Sequence, residues 1–372
     1  MSKKEQEEKK PADQVLTEKF FDTNKAFHYN YEEFRGDYKV SSGSKILDEI
    51  TGGGFSSGLL RFVGPTESGK TAEALEIQGN FLHTVENSKG IFIKAEGRLS
   101  DEMKERTKIK FVHQPSEWEI GTTLVVESNV YEFVFDWLRS IIKNAGEVRY
   151  SIIIDSMDGL IPKDALEKGT ADAAKVAAGA LMTSDFLKRT NLGLSKRGHQ
   201  CIMMGQVRTE IRASQYVKAD KNKLGGASGG NAAVHFPDWV IEFLRPNNDD
   251  YILPNKEGNI SSNNKPIGRM AKVKIWKSTN ETTMIPVSYP IKFGRKNGTS
   301  IWKEREIIDL LLAWGFFIKK GSWYNSDEQL TEFLGEELKK QGLDKLYGAL
   351  EQDPELAEKL EEFCDKEIFD GV

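Results

Sequence analysis

The sequence predicts an α/β fold, a mostly parallel sheet with helices on both faces. Three observations predict it. Short aliphatic and β-branched runs alternate with helix-spaced patterns along most of the chain. A glycine-bracketed loop, Gly64-Pro65-Thr66-Glu67-Ser68-Gly69-Lys70-Thr71, joins one such run to one such helix. Three of the runs end in Glu96, Asp155 and Gln206, which puts polar groups at the carboxyl edge where such sheets bind ligands.

The first strand is Leu59, Leu60, Phe62 and Val63, and the helix after the loop carries Ala72, Leu75, Ile77, Phe81 and Leu82. This context makes Gly64 to Thr71 a phosphate loop. Gly64 and Gly69 let the backbone turn its N–H groups toward phosphate oxygens, and the helix N-terminus adds partial positive charge. Lys70 is placed to reach the β- and γ-phosphates, and the Thr71 hydroxyl to complete a Mg²⁺ shell. A chance glycine-rich turn is the competing reading.

Before the loop, residues 1–38 read as an N-terminal arm, charged and then aromatic (Phe20, Phe21, Phe27, Tyr29, Tyr31, Phe34, Tyr38). It has too few aliphatics for its own core, so it packs either on its own domain or on a neighbouring subunit. Val40 to Gly58 reads as a short amphipathic helix ending in Gly52-Gly53-Gly54.

After the loop come the strand Gly90–Glu96, a charged helix from Asp101 to Lys108, and a short strand from Phe111 closed by Pro115. A helix spans Tyr131 to Ile142. The strand Tyr150–Ser156 is continuously apolar until Asp155. An Ala-rich helix from Ala171 to Leu187 and the strand His199–Gln206 follow. Asp155 either binds Mg²⁺ or caps the next turn. Glu96 is either a general base or a salt-bridge acid, and Gln206 either senses the γ-phosphate or caps its strand.

Val207 to Asn231 reads as a long loop with Arg208, Arg212, Lys218, Lys221 and Lys223 around Tyr216, then Gly225, Gly226, Gly229 and Gly230. Cations attract phosphate and an aromatic ring offers a stacking face, so the loop is a candidate for DNA; a solvated charged loop is the alternative. Lys163, Lys168 and Gly169 form a shorter loop of the same kind. From Pro237 to Pro290 the pattern turns antiparallel, with Asn247 to Lys265 as a polar surface loop. Ile301 to Trp314 is an amphipathic helix. Residues 39–300 are thus the expected core and 301–372 a small acidic α+β domain, its 315–372 part mainly helical.

The chain has 38% apolar and 29% charged residues and a net charge of −5, which describes a soluble globular protein without a global nucleic-acid signature. From Ser326 to Val372 acids outnumber lysines about three to one, so DNA contact must come from local loops. No apolar run approaches the roughly 20 residues of a membrane helix, and Met1 to Lys10 lacks the apolar core of a signal peptide. Cys201 and Cys364 form no metal pair, and Cys201 sits in an apolar run as a buried thiol. A reducing cytoplasm is the expected location.

Over roughly residues 40 to 330 the chain resembles the RecA recombinases. The resemblance is carried by Gly64 to Thr71, by Ile93-Lys94-Ala95-Glu96, and by Ile154-Asp155-Ser156 with Leu160-Ile161-Pro162-Lys163. Gln206-Val207-Arg208 with Gly229-Gly230-Asn231-Ala232, and Ile307 to Leu310 with Gly321 to Tyr324, complete it. It implies an ATP- and Mg²⁺-dependent filament on single-stranded DNA that pairs with homologous duplex. It makes Glu96 the base, Gln206 the γ-phosphate sensor, and 165–175 and 207–230 the DNA loops. ATP would lie between subunits, with Lys277 reaching across. Single-strand-binding or mediator proteins are further implied partners.

The chain departs from the family pattern at several positions. Thr279 stands where a second lysine is expected, Met103 where a tyrosine faces adenine, and His235 at an aromatic coupling position. The first 40 residues do not match at all. This divergence suggests a phage or mobile-element member. A hexameric helicase and a regulatory ATPase without DNA binding are the other two readings.

Overall fold

The computed structural model describes residues 11–97, 99–167, 176–208, 226–227, 232–256, 258–296 and 298–369. Helix α1 (Ala12–Thr23) opens the chain and buries none of its residues. The rest of the arm packs back on the core. The Tyr38 ring meets Phe81 edge-on at 5.5 Å, its hydroxyl donates to the Gly198 carbonyl at 3.0 Å, and Arg197 holds Glu32 at 2.9 Å. The arm therefore divides: its aromatic end docks in cis, while α1 stays uncovered.

Helix α2 (Lys45–Thr51) is capped by the Ser44 hydroxyl, which accepts from the Leu47 N–H, and ends at Gly52 in the left-handed region. Then follow β1 (Gly58–Val63), α3 (Lys70–Thr84), β2 (Ser88–Lys94), α4 (Asp101–Glu105), β3 (Lys110–Val112), β4 (Thr122–Glu127), α5 (Tyr131–Lys143) and β5 (Arg149–Asp155). After them come α6 (Lys163–Glu167), α7 (Val176–Lys196), β6 (Gln200–Gly205), β7 (Val207–Arg208), β8 (Gly226–Ala227), α8 (Ala232–His235), β9 (Trp239–Phe243), β10 (Tyr251–Ile252), β11 (Gly268–Lys277) and β12 (Pro286–Lys292).

Ten strands form one sheet in the order β10-β11-β9-β1-β6-β5-β2-β4-β3, with β12 on β11. From β9 through β3 every pairing is parallel; β10, β11 and β12 add an antiparallel edge. Alternate residues of the central strands feed opposite faces. Leu60, Phe62, Phe92, Ile153 and Ile202 pack with Leu75, Ile77 and Phe81 of α3. Leu59, Ile91, Ile93, Ile152, Ile154 and Cys201 pack with Val134, Leu138, Phe186 and Leu187 of α5 and α7. Burial pushes the Cys201 thiol up to about 12.

Strand β4 escapes the sequence reading. Thr122-Thr123-Leu124-Val125-Val126-Glu127 is short and flanked by polar residues, and only its place between β2 and β3 identifies it. The expected polar loop 247–265 contains β10 and a 3-10 turn at Asn248–Asp250. Helix α7 runs on to Lys196, nine residues past its expected end, because Leu194 still faces the core.

The C-terminal residues fold as α9 (Lys303–Ala313), β13 (Phe317–Lys320), β14 (Trp323–Ser326), α10 (Glu328–Leu334), β15 (Lys339–Gln341), α11 (Leu343–Gln352) and α12 (Pro354–Cys364). Residues 315–372 are mainly helical as expected, and the small antiparallel sheet β13-β14-β15 supplies the strand part of the α+β domain, its strands too short for periodicity to show. This region has its own apolar cluster around Ile308, Leu330, Leu346 and Phe363. Among the described residues no helix is long and apolar enough to cross a membrane.

Candidate nucleotide site

Register places the site. Val63 ends β1 opposite Gly205 of β6, so Gly64 and Gln206 emerge side by side. Lys94 pairs with Asp155, so Glu96 and Asp155 leave the same edge, Asp155 two strands and Glu96 three strands from β1. All four sit where a parallel sheet exposes its carboxyl ends, and β1 is the switch point with β6 on one side and β9 on the other.

The loop geometry requires glycine. At Gly64, φ is +152° and an added Cβ would lie 2.4 Å from the Phe243 carbonyl oxygen. Gly69, at φ +110°, caps α3 and turns the chain into the helix. Lys70 Nζ donates to the carbonyls of Gly64 at 2.9 Å and Pro65 at 2.7 Å, curling over the loop. Burial lowers the basicity of its ammonium, against the pull of Asp155, Asp158 and Glu96.

Thr71 Oγ1 donates to Asp155 Oδ2 at 2.9 Å. Burial raises the Asp155 carboxyl, opposed by the Thr71 hydrogen bond, and the Glu96 charge adds to the rise. A hydroxyl and a carboxylate oxygen are hard donors of the kind Mg²⁺ takes alongside phosphate oxygens. Among the described residues no group of three or more His, Cys, Asp or Glu is placed to hold a metal alone. A phosphate-borne Mg²⁺ needs no more than this pair, so the residues fit the ion. Glu96 is hydrogen-bonded by the Ser156 hydroxyl, and its own N–H donates to the Asp155 carbonyl at 3.2 Å.

A cleft of about 430 Å³ runs from Glu67 through Ala72 to Met103, Arg106, Thr107 and Ser300. Met103 therefore shares one cavity with Lys70 and Thr71. It is held there by α4, whose Ser100 cap accepts from the Met103 N–H at 3.2 Å.

Lys277 is elsewhere. It pairs with Val240 near the start of β9, whereas the phosphate loop lies past the other end of that strand. Its Nζ donates to the His235 carbonyl at 2.5 Å, facing further away. Within one chain Lys277 and Lys70 do not meet.

Strands β7 and β8 pair antiparallel, Val207 with Ala227 and Arg208 with Gly226, directly after Gln206. Lys168, Gly169, Arg212, Tyr216, Lys218, Gly229, Gly230 and Asn231 lie outside the described residues.

Sequence reading missed three charged groups here. Arg269 Nη1 donates to the Glu67 carbonyl at 3.3 Å, bringing a guanidinium from β11 to the phosphate loop. Glu76, one face of α3, lines the cleft while almost fully buried. Asp158 accepts from the Gln206 N–H at 2.7 Å. No motif flags them, since each reaches the site through packing rather than spacing.

Fold and site together define an α/β protein with a nucleotide-type phosphate loop at the switch point of its sheet. The family model for the RecA N-terminal domain matches residues 17–296, and the chain belongs to the RecA family. It is 25% identical over 336 residues to Protein RecA of Nostoc punctiforme, covering 90% of this chain and 81% of that one. Protein RecA of Thermosynechococcus vestitus is 24% identical, with 87% and 79% covered, and that of Aquifex aeolicus 24%, with 87% and 82%. The match starts at residue 17, inside the arm, so the motif-based limit near residue 40 is corrected. Short motifs do not register an arm whose likeness is spread thinly.

Proposed function

We propose that this protein is an ATP- and Mg²⁺-dependent recombinase that polymerises on single-stranded DNA and pairs it with homologous duplex. One observation carries the reading: Gln206 stands beside Gly64 at the phosphate loop and leads at once into the β7–β8 pair that flanks the basic stretch in sequence. A γ-phosphate and a DNA-contacting loop would thus share one strand end. Family membership supports ATP binding and DNA recombination in general terms.

In this reading Gly64 to Thr71 cradle the phosphates, Lys70 neutralises developing charge, and Thr71 and Asp155 hold Mg²⁺, which would screen the phosphate oxygens. Glu96 orients and deprotonates the attacking water, and Gln206 senses the γ-phosphate. Met103 lies against the base. Lys277, turned from its own loop, serves the site of a neighbouring subunit. Lys168, Gly169, Arg208, Arg212, Tyr216, Lys218, Gly229, Gly230 and Asn231 contact DNA. Residues 1–38 form an oligomerisation arm on the core 39–300, with 301–372 as a separate acidic domain; uncovered α1, with Leu16 and Phe20 exposed, is the part of the arm suited to a neighbour.

Binding of labelled single-stranded DNA, with and without a slowly hydrolysed ATP analogue, tests the reading. Lys70→Ala should abolish the nucleotide-dependent part; unchanged DNA binding in that variant rejects the mechanism. Electron microscopy of the same mixtures should show helical filaments. Closed rings would favour a hexameric helicase, and absence of any DNA complex a regulatory ATPase.

A further inference from the structure

We infer that Asp158 is a positioning residue whose carboxylate ties the phosphate loop to the main chain of Gln206, passing the state of the loop to the hairpin beyond. The inference rests on the function proposed above.

Asp158 lies in the 3-10 turn Met157–Gly159, directly after the Asp155 strand, and is half-buried. Its Oδ2 accepts the Gln206 N–H at 2.7 Å. The bond is to backbone, so it fixes where the chain leaves β6 whatever the Gln206 side chain does. The same carboxylate acts on two cations from two other elements. One is Lys70, at the start of α3, where Asp158 joins Asp155 and Glu96 in favouring the charged ammonium. The other is Arg61 of β1, 3% exposed, which burial pulls down to about 10 and Asp158 pulls back.

β1, α3 and β6 therefore converge electrostatically on one side chain. A polyanion on the loop draws the Lys70 ammonium toward itself and repels Asp158. Any displacement of this carboxylate moves the Gln206 N–H bonded to it, and β7 begins at the next residue. Asp155 and Glu96 lack this connection: the hydrogen bonds described for their side chains are to the Thr71 and Ser156 hydroxyls.

The test compares the full-length protein with Asp158→Ala and Asp158→Asn. Two quantities are read: affinity for a fluorescent ATP analogue, and the ratio of single-stranded DNA affinities with that analogue and with ADP. Asp158→Ala should bind the analogue within about twofold of the wild type, while its DNA ratio falls about tenfold, the scale of one charge-assisted hydrogen bond. Asp158→Asn keeps an oxygen that accepts the N–H but loses the charge that couples it to Lys70, so its ratio should fall as well, whereas a purely structural hydrogen bond would leave the ratio intact.

A full ratio in Asp158→Ala overturns the inference, as does a full ratio in Asp158→Asn. Should Asp158→Ala fail to fold, hydrogen exchange of the Gln206 amide in the wild type decides. Protection that changes between the ATP analogue and ADP supports the link, and identical protection overturns it. A wild type with no nucleotide-dependent DNA binding rejects the proposed function itself, and the inference falls with it.

Discussion

Thr71 and Asp155, on different elements and far apart in the chain, meet through a 2.9 Å hydrogen bond beneath the phosphate loop. The pair joins the first turn of α3 to the end of β5 and presents two hard oxygens on one side of Lys70. Thr71→Val keeps the shape and removes one donor oxygen; Asp155→Asn removes the charge. Each should weaken Mg²⁺-dependent ATP binding about tenfold or more, with little change in nucleotide binding measured in EDTA. Titration of a fluorescent nucleotide with and without Mg²⁺ checks this. Equal losses in both conditions would argue that the pair is only structural.

Glu96 makes a different demand. If it deprotonates water, Glu96→Gln should lower steady-state hydrolysis about a hundredfold or more while ATP affinity holds. DNA binding with ATP should then persist longer than in the wild type. Loss of affinity together with turnover would place Glu96 in binding instead.

The register of β11 makes the role of Lys277 testable by mixing. Lys277→Ala and Lys70→Ala should each be inactive as ATPases when alone. A mixture should recover activity, because a Lys70→Ala subunit still offers Lys277 to its neighbour's intact phosphate loop. No recovery in the mixture, at any ratio, would remove Lys277 from the nucleotide site.

Glu76 links the cleft to pH. Burial raises its carboxyl from 4.5 to about 7, against the Thr299 hydrogen bond and the charges of Lys303 and Lys108. A carboxyl raised in the fold favours folding while protonated; that contribution is full below 4.5 and is lost as pH rises through about 7. Glu76→Gln is neutral throughout. Its stability relative to wild type should therefore climb between pH 4.5 and 7, by at most about 1.4 kcal/mol per unit, and level off above. Denaturant unfolding of both proteins across this range reads the difference. In it Glu306, raised by its own burial, cancels, while Glu73, raised by burial and in part by the Glu76 charge, shifts with the substitution. A flat difference would show that Glu76 titrates alike in the folded and unfolded protein.

Much of the site was legible because each part is local. A phosphate loop needs glycines, lysine and a hydroxyl in fixed order, so Gly64 to Thr71 stand out in the sequence alone. Asp155 and Glu96 follow from apolar runs that stop at a carboxylate. Strand β4 was not legible, since polar Thr122 and Thr123 hide a run too short for its periodicity to be seen. Strands β13 to β15 were hidden for the same reason. Nor could spacing find Arg269, whose guanidinium reaches the Glu67 carbonyl from a strand two places away from β1 in the sheet.

The sequence by itself determined the fold class, the phosphate loop and the strands that end at it, because backbone turn, strand propensity and helix start are properties of neighbouring residues. Tertiary structure decided which side chains share the loop. Parallel register set Gln206 beside Gly64, α4 brought Met103 to the cleft, and the antiparallel turn of β11 carried Lys277 to the opposite end of the sheet. Such relations depend on how strands are ordered and which way they run, and residues distant in the chain fix both together.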